Sequence, residues 1–355
     1  MGYPVVEIYR EKIKENAQNL VKECHLRGIE VAGVVKVFGG YKDVVEAYID
    51  GGVDLIADSR IENLKGFNEF NVQKMLIRIP MKSQAEEVVK YSDVALVSEI
   101  DIVEELNKYA KKHGKIYDII LMIDVGDLRE GIFFKNKNEI EEWVRKVDMF
   151  KYINLKGIGT NLNCYGGVIP STENMNYLVE VKSMIEKLLD RKLDVISGGN
   201  SENIKLMREN GMPKEINQLR IGVGIALGIG LYDKPIEGQH TDTVKLIAEV
   251  VEVKEKPSAP IGELGIDAFG RKPTFIDKGI RRRAILGIGR QDVSPEHIVP
   301  IDNKIEIIGA SSDHLIIDIT ESNNNYKCGD VVEFNLTYGG LLAAMTSKYV
   351  NKRIV

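Results

Sequence analysis

GVVKVFGG, residues 33–40, sets a lysine at the end of an apolar run that begins at Val31. The run reads as a buried strand, and the residues after Lys36 are nearly all small or apolar. Lysine is almost never fully buried unless it is paired or carries chemistry. Lys36 therefore either snorkels out at a strand end or is held there for its amine.

Working outward, seven more runs follow VAGVVK (31–36). They are VDLIAD (53–58), KMLIRI (74–79), DVALVS (93–98), IILMID (119–124), LKGIGT (155–160), LDVISG (193–198) and QLRIGV (218–223). Helix-like segments with polar faces lie between them, as at 99–113, 136–150, 173–189 and 202–210. Continuous apolar strands separated by helices indicate a parallel sheet buried on both faces. Eight such units predict a closed (β/α)8 TIM-type barrel, with an open doubly wound sheet as the alternative. Before the first unit, VVEIYREKIKENAQNLVKEC (5–24) reads as a strand and then a helix.

The texture changes after about Gly238. A strand-like run at 244–253 leads into a Gly/Pro-rich stretch, KPSAPIGELG. AILGIG (284–289), IEIIGASSDHLIIDIT (305–320) and VVEFNLTY (331–338) follow. Short β runs between turns predict a smaller, mainly antiparallel β-domain. The expected division is a barrel over 1–237 and a C-terminal β-domain over 238–355.

The bulk composition narrows the function classes. Of 355 residues, 44% are hydrophobic and 28% charged, with a formal net charge of −5, which is ordinary globular chemistry. Arg281–Arg283 is the one basic cluster, so nucleic acid is not an expected partner. No run of 18 apolar residues and no basic-then-apolar leader at Met1 is found, so neither a membrane span nor a signal peptide is expected. Cys24, Cys164 and Cys328 show no metal spacing and are odd in number, which fits a reducing cytoplasm. The five histidines are scattered and no metal site is expected; His314 beside Asp313 reads as structural.

Barrels of this kind carry their active sites at the C-terminal ends of the strands. Those ends hold Lys36, Asp58-Ser59-Arg60, Arg78, Ser98-Glu99, Asp124 with Arg129, Thr160-Asn161-Leu162-Asn163, Ser197 to Ser201, and Arg220-Ile221-Gly222. GGNS (198–201) precedes a helix that Asn200 or Ser201 can cap, and RIGVG (220–224) follows the eighth strand. Each glycine cluster reads as a tight turn or as a phosphate cradle at a helix N-terminus; phosphate sites in these barrels typically follow strands 7 and 8. A lysine on the first strand facing such a site is the layout for pyridoxal 5'-phosphate. Desolvation lowers the amine's pKa and frees it to form a Schiff base.

These segments resemble the alanine racemase family of barrel-type pyridoxal-phosphate enzymes over nearly the whole chain. VVKVFGG is similar to the family's cofactor-lysine motif, and MIDVGDLREGI (122–132) to its segment with an arginine near the cofactor ring, here Arg129. GIGTNLNCYGG (157–167) puts Asn161 where the family has histidine. ISGGNS resembles the segment whose serine, here Ser201 beside Asn200, binds phosphate. LRIGVGIALG places Arg220 at the pyridine nitrogen and the amides of Gly222 and Val223 on the phosphate. The strings GTNLNCYGGVIP, GRQDV, GASSDHL and LLAAMTSKYV resemble the ornithine racemase subgroup more closely.

The resemblance implies a racemase of ornithine, working by proton abstraction and return at the α-carbon. It also implies a homodimer in which the β-domain of one chain covers the other's barrel. The family's second base is a tyrosine, but GELGIDAFG (262–270) has Phe269 there. Asp267 or Cys164 is the candidate for the second face, and Tyr41 is one residue out of step with a phosphate-binding tyrosine. Arg129, Asp267, Ser312 and Asp313 are the candidate substrate-binding residues; either aspartate would meet a second amine. The alternatives are a racemase of lysine or alanine, a decarboxylase or aldolase on the same cofactor, a non-catalytic cofactor carrier, and a barrel that binds ligand without cofactor.

Overall fold

The computed structural model describes residues 2–266, 269–270, 272 and 274–355. The chain divides into two compact units. One is Arg10–Thr241; the other joins the segment ending at Tyr9 to Asp242–Val355.

In chain order, β1 (Val5–Ile8) and α1 (Arg10–His25) are followed by β2 (Glu30–Val34), α2 (Lys42–Asp50), β3 (Leu55–Asp58) and α3 (Ile61–Gly66). Next come β4 (Gln73–Leu76), α4 (Ala85–Tyr91), β5 (Val94–Val97), α5 (Ile100–Lys112), β6 (Tyr117–Asp124) and β7 (Ile132–Phe133). α6 (Lys137–Asp148), β8 (Ile153–Gly159), α7 (Thr172–Leu189), β9 (Val195–Ser197), α8 (Asn203–Arg208), β10 (Gln218–Ile221) and α9 (Val223–Ala226) follow, and the elements from α1 to α9 make up the Arg10–Thr241 unit.

Eight of these strands close a parallel barrel. The order is β2-β3-β4-β5-β6-β8-β9-β10, with β10 pairing back to β2, and β7 adds to β6 outside the ring. All eight expected strands are present. Their runs are continuously apolar because both faces are covered. Ala32, Val34, Leu55, Ala57, Leu96 and Ile120 alternate along neighbouring strands and form one interior cluster. The other parity meets helices: a Cβ at Gly33 would lie 2.8 Å from Tyr48 of α2 and 2.9 Å from Val53. Arg220 is in register with Ala32, so its side chain shares the interior face at the barrel's C-terminal end.

The second unit contains β11 (Val244–Pro257), β12 (Ile280–Leu286), β13 (Ile298–Pro300), β14 (Glu306–Ala310), β15 (Leu315–Asp318), β16 (Val331–Leu336), α10 (Tyr338–Thr346) and β17 (Asn351–Ile354). Its sheet runs β13-β16-β11-β12-β15-β14 in antiparallel pairs. β1 joins that sheet, antiparallel to β11 and parallel to β17. The first strand therefore belongs to the second unit, although it precedes the barrel in sequence. The first unit runs to Thr241. Asn16 of α1 clasps the backbone of His240, accepting its N–H at 2.7 Å and donating to its carbonyl at 2.9 Å. Among the described residues, no helix is long and apolar enough to cross a membrane.

Candidate active site

β2 stops at Val34, and Lys36 opens a single 3-10 turn, Lys36–Phe38, two residues beyond the strand. Val37 and Phe38 are buried and anchor that turn. Among the described residues, no hydrogen bond or ion pair reaches the Lys36 amine. Burial pushes its pKa below the ordinary lysine value, Arg129 pushes the same way, and the carboxylates of Asp58 and Glu130 oppose.

Arg220 is 3% exposed. Its Nη1 donates to Ser197 Oγ at 2.5 Å and its Nη2 to the Thr160 carbonyl at 2.5 Å and Asn161 Oδ1 at 2.6 Å. Burial pushes this guanidinium down to about 10, which still leaves it charged near neutral pH. Asn161 Nδ2 donates in turn to Glu130 Oε1, and Glu130 takes Arg129 through both oxygens. Thus Arg129, Glu130, Asn161 and Arg220 form one chain of charge-assisted hydrogen bonds. Thr160 is fully buried, and its hydroxyl has no partner among the described residues.

Two loops bring this chain together. Asp124 at the end of β6 accepts the N–H groups of Gly126 and Leu128, which folds the loop back on the strand. Asp127 is 1% exposed and accepts from the backbones of Cys164, Tyr165 and Val168 in the loop after β8. Gly131 closes the first loop at φ +114°, where a Cβ would lie 2.8 Å from the backbone of Met122.

Ser201 is 3% exposed, and its Oγ accepts the N–H groups of Gly222 and Gly224, each at 3.1 Å. Asn200 donates to the Leu162 carbonyl at 2.9 Å and to the exposed Cys164 Sγ at 3.3 Å. Val223 opens α9 beside Gly222. Neither Asn200 nor Ser201 caps α8 as expected. The helix starts at Asn203 with Glu202 at its N-cap, because both side chains are committed elsewhere. Asn200 Oδ1 instead accepts the Glu202 N–H at 2.9 Å. Tyr41 stands at the N-cap of α2, and burial raises its phenol pKa.

Lys36, Arg129, Asn161, Cys164, Asn200, Ser201, Arg220, Gly222 and Val223 all lie at the C-terminal ends of the barrel strands or in the loops that follow. Ser312 and Asp313 belong to the second unit, in the exposed turn between β14 and β15. There, Ser312 donates to Asp313 Oδ1 at 3.1 Å and holds its carboxyl below the ordinary aspartate range. Asp267 lies outside the described residues. Phe269 is half-exposed, with the Arg290 guanidinium 5.2 Å from its ring centre.

Sequence reasoning missed Glu130 and Asp127. The signal for Glu130 was a carboxylate directly after Arg129 in a loop at the barrel mouth. Asp58 stood among the strand-end residues without a role. It is fully buried, accepts the Arg60 N–H at 2.8 Å and the Asn63 amide at 3.2 Å, and burial raises its pKa to about 6.

Comparison with known proteins identifies the family. Residues 8–228 match the family model described as "Alanine racemase, N-terminal domain". The ornithine racemase of Acetoanaerobium sticklandii is 43% identical over 99% of this chain and 100% of that protein. The lysine racemase of Thermotoga maritima is 39% identical over 99% of this chain and 98% of that protein. The structure of alanine racemase from Bartonella henselae with covalently bound pyridoxal phosphate superposes with a TM-score of 0.76 at 18% identity, covering both chains fully. With the closed barrel, the strand-end lysine and the match over residues 8–228 in hand, the chain belongs to the alanine racemase family.

Proposed function

We propose that this protein is a pyridoxal-phosphate-dependent racemase that interconverts L- and D-ornithine. The observation that carries the reading is the likeness to an ornithine racemase over the full length of both chains.

The residues at the barrel mouth fit the cofactor. The N–H groups of Gly222 and Gly224 converge on the Ser201 oxygen, and these two donors with the serine hydroxyl hydrogen would suit a phosphate oxygen taking the place of that acceptor. Ser201, Asn200, Gly222 and Val223 would hold the phosphate, and Arg220, Asn161 and Arg129 the ring. The amine of Lys36 would make the covalent link, and the Thr160 hydroxyl, without a partner among the described residues, is a further group beside Arg220. When bound, pyridoxal phosphate supplies an electron sink that acidifies the α-hydrogen of an amino acid.

The chain's own residues do the rest. Lys36, less basic than an ordinary lysine, takes the α-proton at Nζ on one face and returns it there in the reverse direction. Arg220 donates hydrogen bonds and accepts none, so it orients without competing for that proton. The opposite face needs its own proton carrier, and Cys164 and Asp267 are the candidates. Arg129 would meet the substrate carboxylate; Asp267, Ser312 or Asp313 would meet the second amine, since a buried unpaired cation is costly. A homodimer in which the second unit of one chain shields the other's barrel would exclude water.

A second reading, lysine as substrate, is favoured by the lysine racemase likeness. A circular-dichroism assay of L-ornithine, L-lysine and L-alanine, with carbon dioxide release followed in parallel, tests both. Ornithine should invert fastest, with lysine intermediate. Alanine inverted as well as ornithine would sink the substrate assignment, and carbon dioxide release without inversion would make the protein a decarboxylase.

A further inference from the structure

Among the described residues, Arg220 directs its side-chain hydrogen bonds only to neutral acceptors: Ser197, the Thr160 carbonyl and Asn161. Among the described residues no carboxylate touches it, although it is 3% exposed. A buried cation without an anion is costly, so charge has to reach it indirectly. Its carboxylate influence is Glu130, one residue away through Asn161.

Glu130 has the geometry of a relay. Its side chain is 16% exposed, against 36% for Arg129. Oε2 accepts from Arg129 Nε, while Oε1 accepts from Arg129 Nη2 at 2.6 Å and from Asn161 Nδ2. The polarity of the Asn161 amide follows from this. Its N–H2 faces a carboxylate, so its oxygen faces Arg220, at 2.6 Å. Turned over, the amide would set its oxygen against the carboxylate and its N–H2 against the guanidinium, two repulsive contacts in a site shielded from water.

We propose that Glu130 is a positioning residue that fixes Arg129 directly and Arg220 through Asn161, so that the two guanidiniums act as one rigid array. The part of this that concerns catalysis rests on the proposed racemase function. The array itself rests only on the hydrogen bonds. The loop contacts explain why the relay forms: Asp127 ties the loop carrying Glu130 to the one that follows Asn161.

The test is a double-mutant cycle of E130A and N161A, read in three ways. In thermal unfolding of the full chain, each single variant should lower Tm by about 2–5 °C. The double variant should fall no further than the worse single one. In ornithine racemisation, each should lower kcat at least tenfold with little change in KM, again without further loss in the double. The visible absorption maximum of bound pyridoxal phosphate should move in both single variants and move no further in the double, a readout that a purely structural role for Glu130 would leave in place. Losses that add in Tm, or an absorption maximum unmoved in E130A, overturn the proposal. If E130A does not fold, E130M takes its place, keeping volume while removing both oxygens. A wild-type chain with neither visible absorbance nor racemase activity would instead defeat the proposed function, and the Tm cycle would still decide for or against the relay.

Discussion

Asp58 offers a quantitative test of how the barrel mouth treats charge. The carboxyl is fully buried, and burial raises it from 3.8 to about 6, against the pull of the Arg60 N–H, the Asn63 amide and the Lys36 charge. Below the unfolded value both states hold the proton, and any benefit of the folded environment is fully present. Between 3.8 and about 6 the unfolded chain ionises while the folded chain does not, so stability is lost as pH rises through that window. The rise corresponds to about 3 kcal/mol. Asp58→Asn stays neutral throughout and keeps an acceptor for the Arg60 N–H, so it should not carry this loss. Trp143, the single tryptophan, is buried on α6, so its fluorescence reports the barrel unit alone. Urea unfolding followed by that signal should show the variant gaining about 3 kcal/mol on wild type between about pH 3.5 and pH 7. A difference that stays flat across this range would refute the argument that burial, rather than pairing with Lys36, governs Asp58.

Three further outcomes follow from the site. Lys36→Ala should abolish the visible absorbance of bound pyridoxal phosphate, and borohydride reduction of wild type with peptide mapping should tag Lys36; a tag on another lysine would refute its role. Ser201→Ala leaves the N–H groups of Gly222 and Gly224 without their acceptor and should cost about 1–3 kcal/mol of stability by urea unfolding, while weakening cofactor affinity. Asp127→Ala frees three backbone N–H groups of the loop after β8, so limited proteolysis should cut near Cys164 to Val168 far faster than in wild type; an unchanged cleavage rate would show that the loop is held by other contacts.

The barrel was legible because a parallel strand covered on both faces leaves an unbroken apolar run, as Leu55–Asp58 and Val94–Val97 do. The second unit was less so. Ile298–Pro300 is three residues ending in proline, and Asn351–Ile354 is half-buried and largely polar, so neither has the pattern of a strand. Helix α10 hides behind Gly339 and Gly340, and only the Thr337 hydroxyl accepting the Gly340 N–H marks its start. Strand β1 reads correctly as a strand, but its partners lie more than 230 residues away at Val244–Ile247; no local pattern carries that pairing. At the mouth, Lys36 and Arg220 stood out as charges at the ends of apolar runs. Glu130 did not, because a glutamate beside an arginine in a loop reads as a solvated pair until the fold turns it toward Asn161.

Lys36 and Asp58 make the sharper point about how such a site works. Burial moves them in opposite senses, the amine down and the carboxyl up, because each is penalised in its charged form. Their mutual attraction pulls the other way and loses. Asn63 opposes the outcome at Asp58, because its amide grips both oxygens at 3.2 Å and favours the carboxylate, and it also joins the two groups, since a Cβ at Gly40, in the turn after Lys36, would lie 2.8 Å from its Oδ1. The clamp on Asp58 and the turn that presents Lys36 are therefore packed as one piece. Glu130, the other carboxylate acting on Lys36, is spent on Arg129, whose own charge pushes the amine down. A carboxylate near a buried amine raises its pKa, so the Lys36 amine stays depressed only because its neighbouring carboxylates are penalised by burial or taken by another cation. Burial penalises the charge on Asp58, and the Arg129 guanidinium takes that of Glu130.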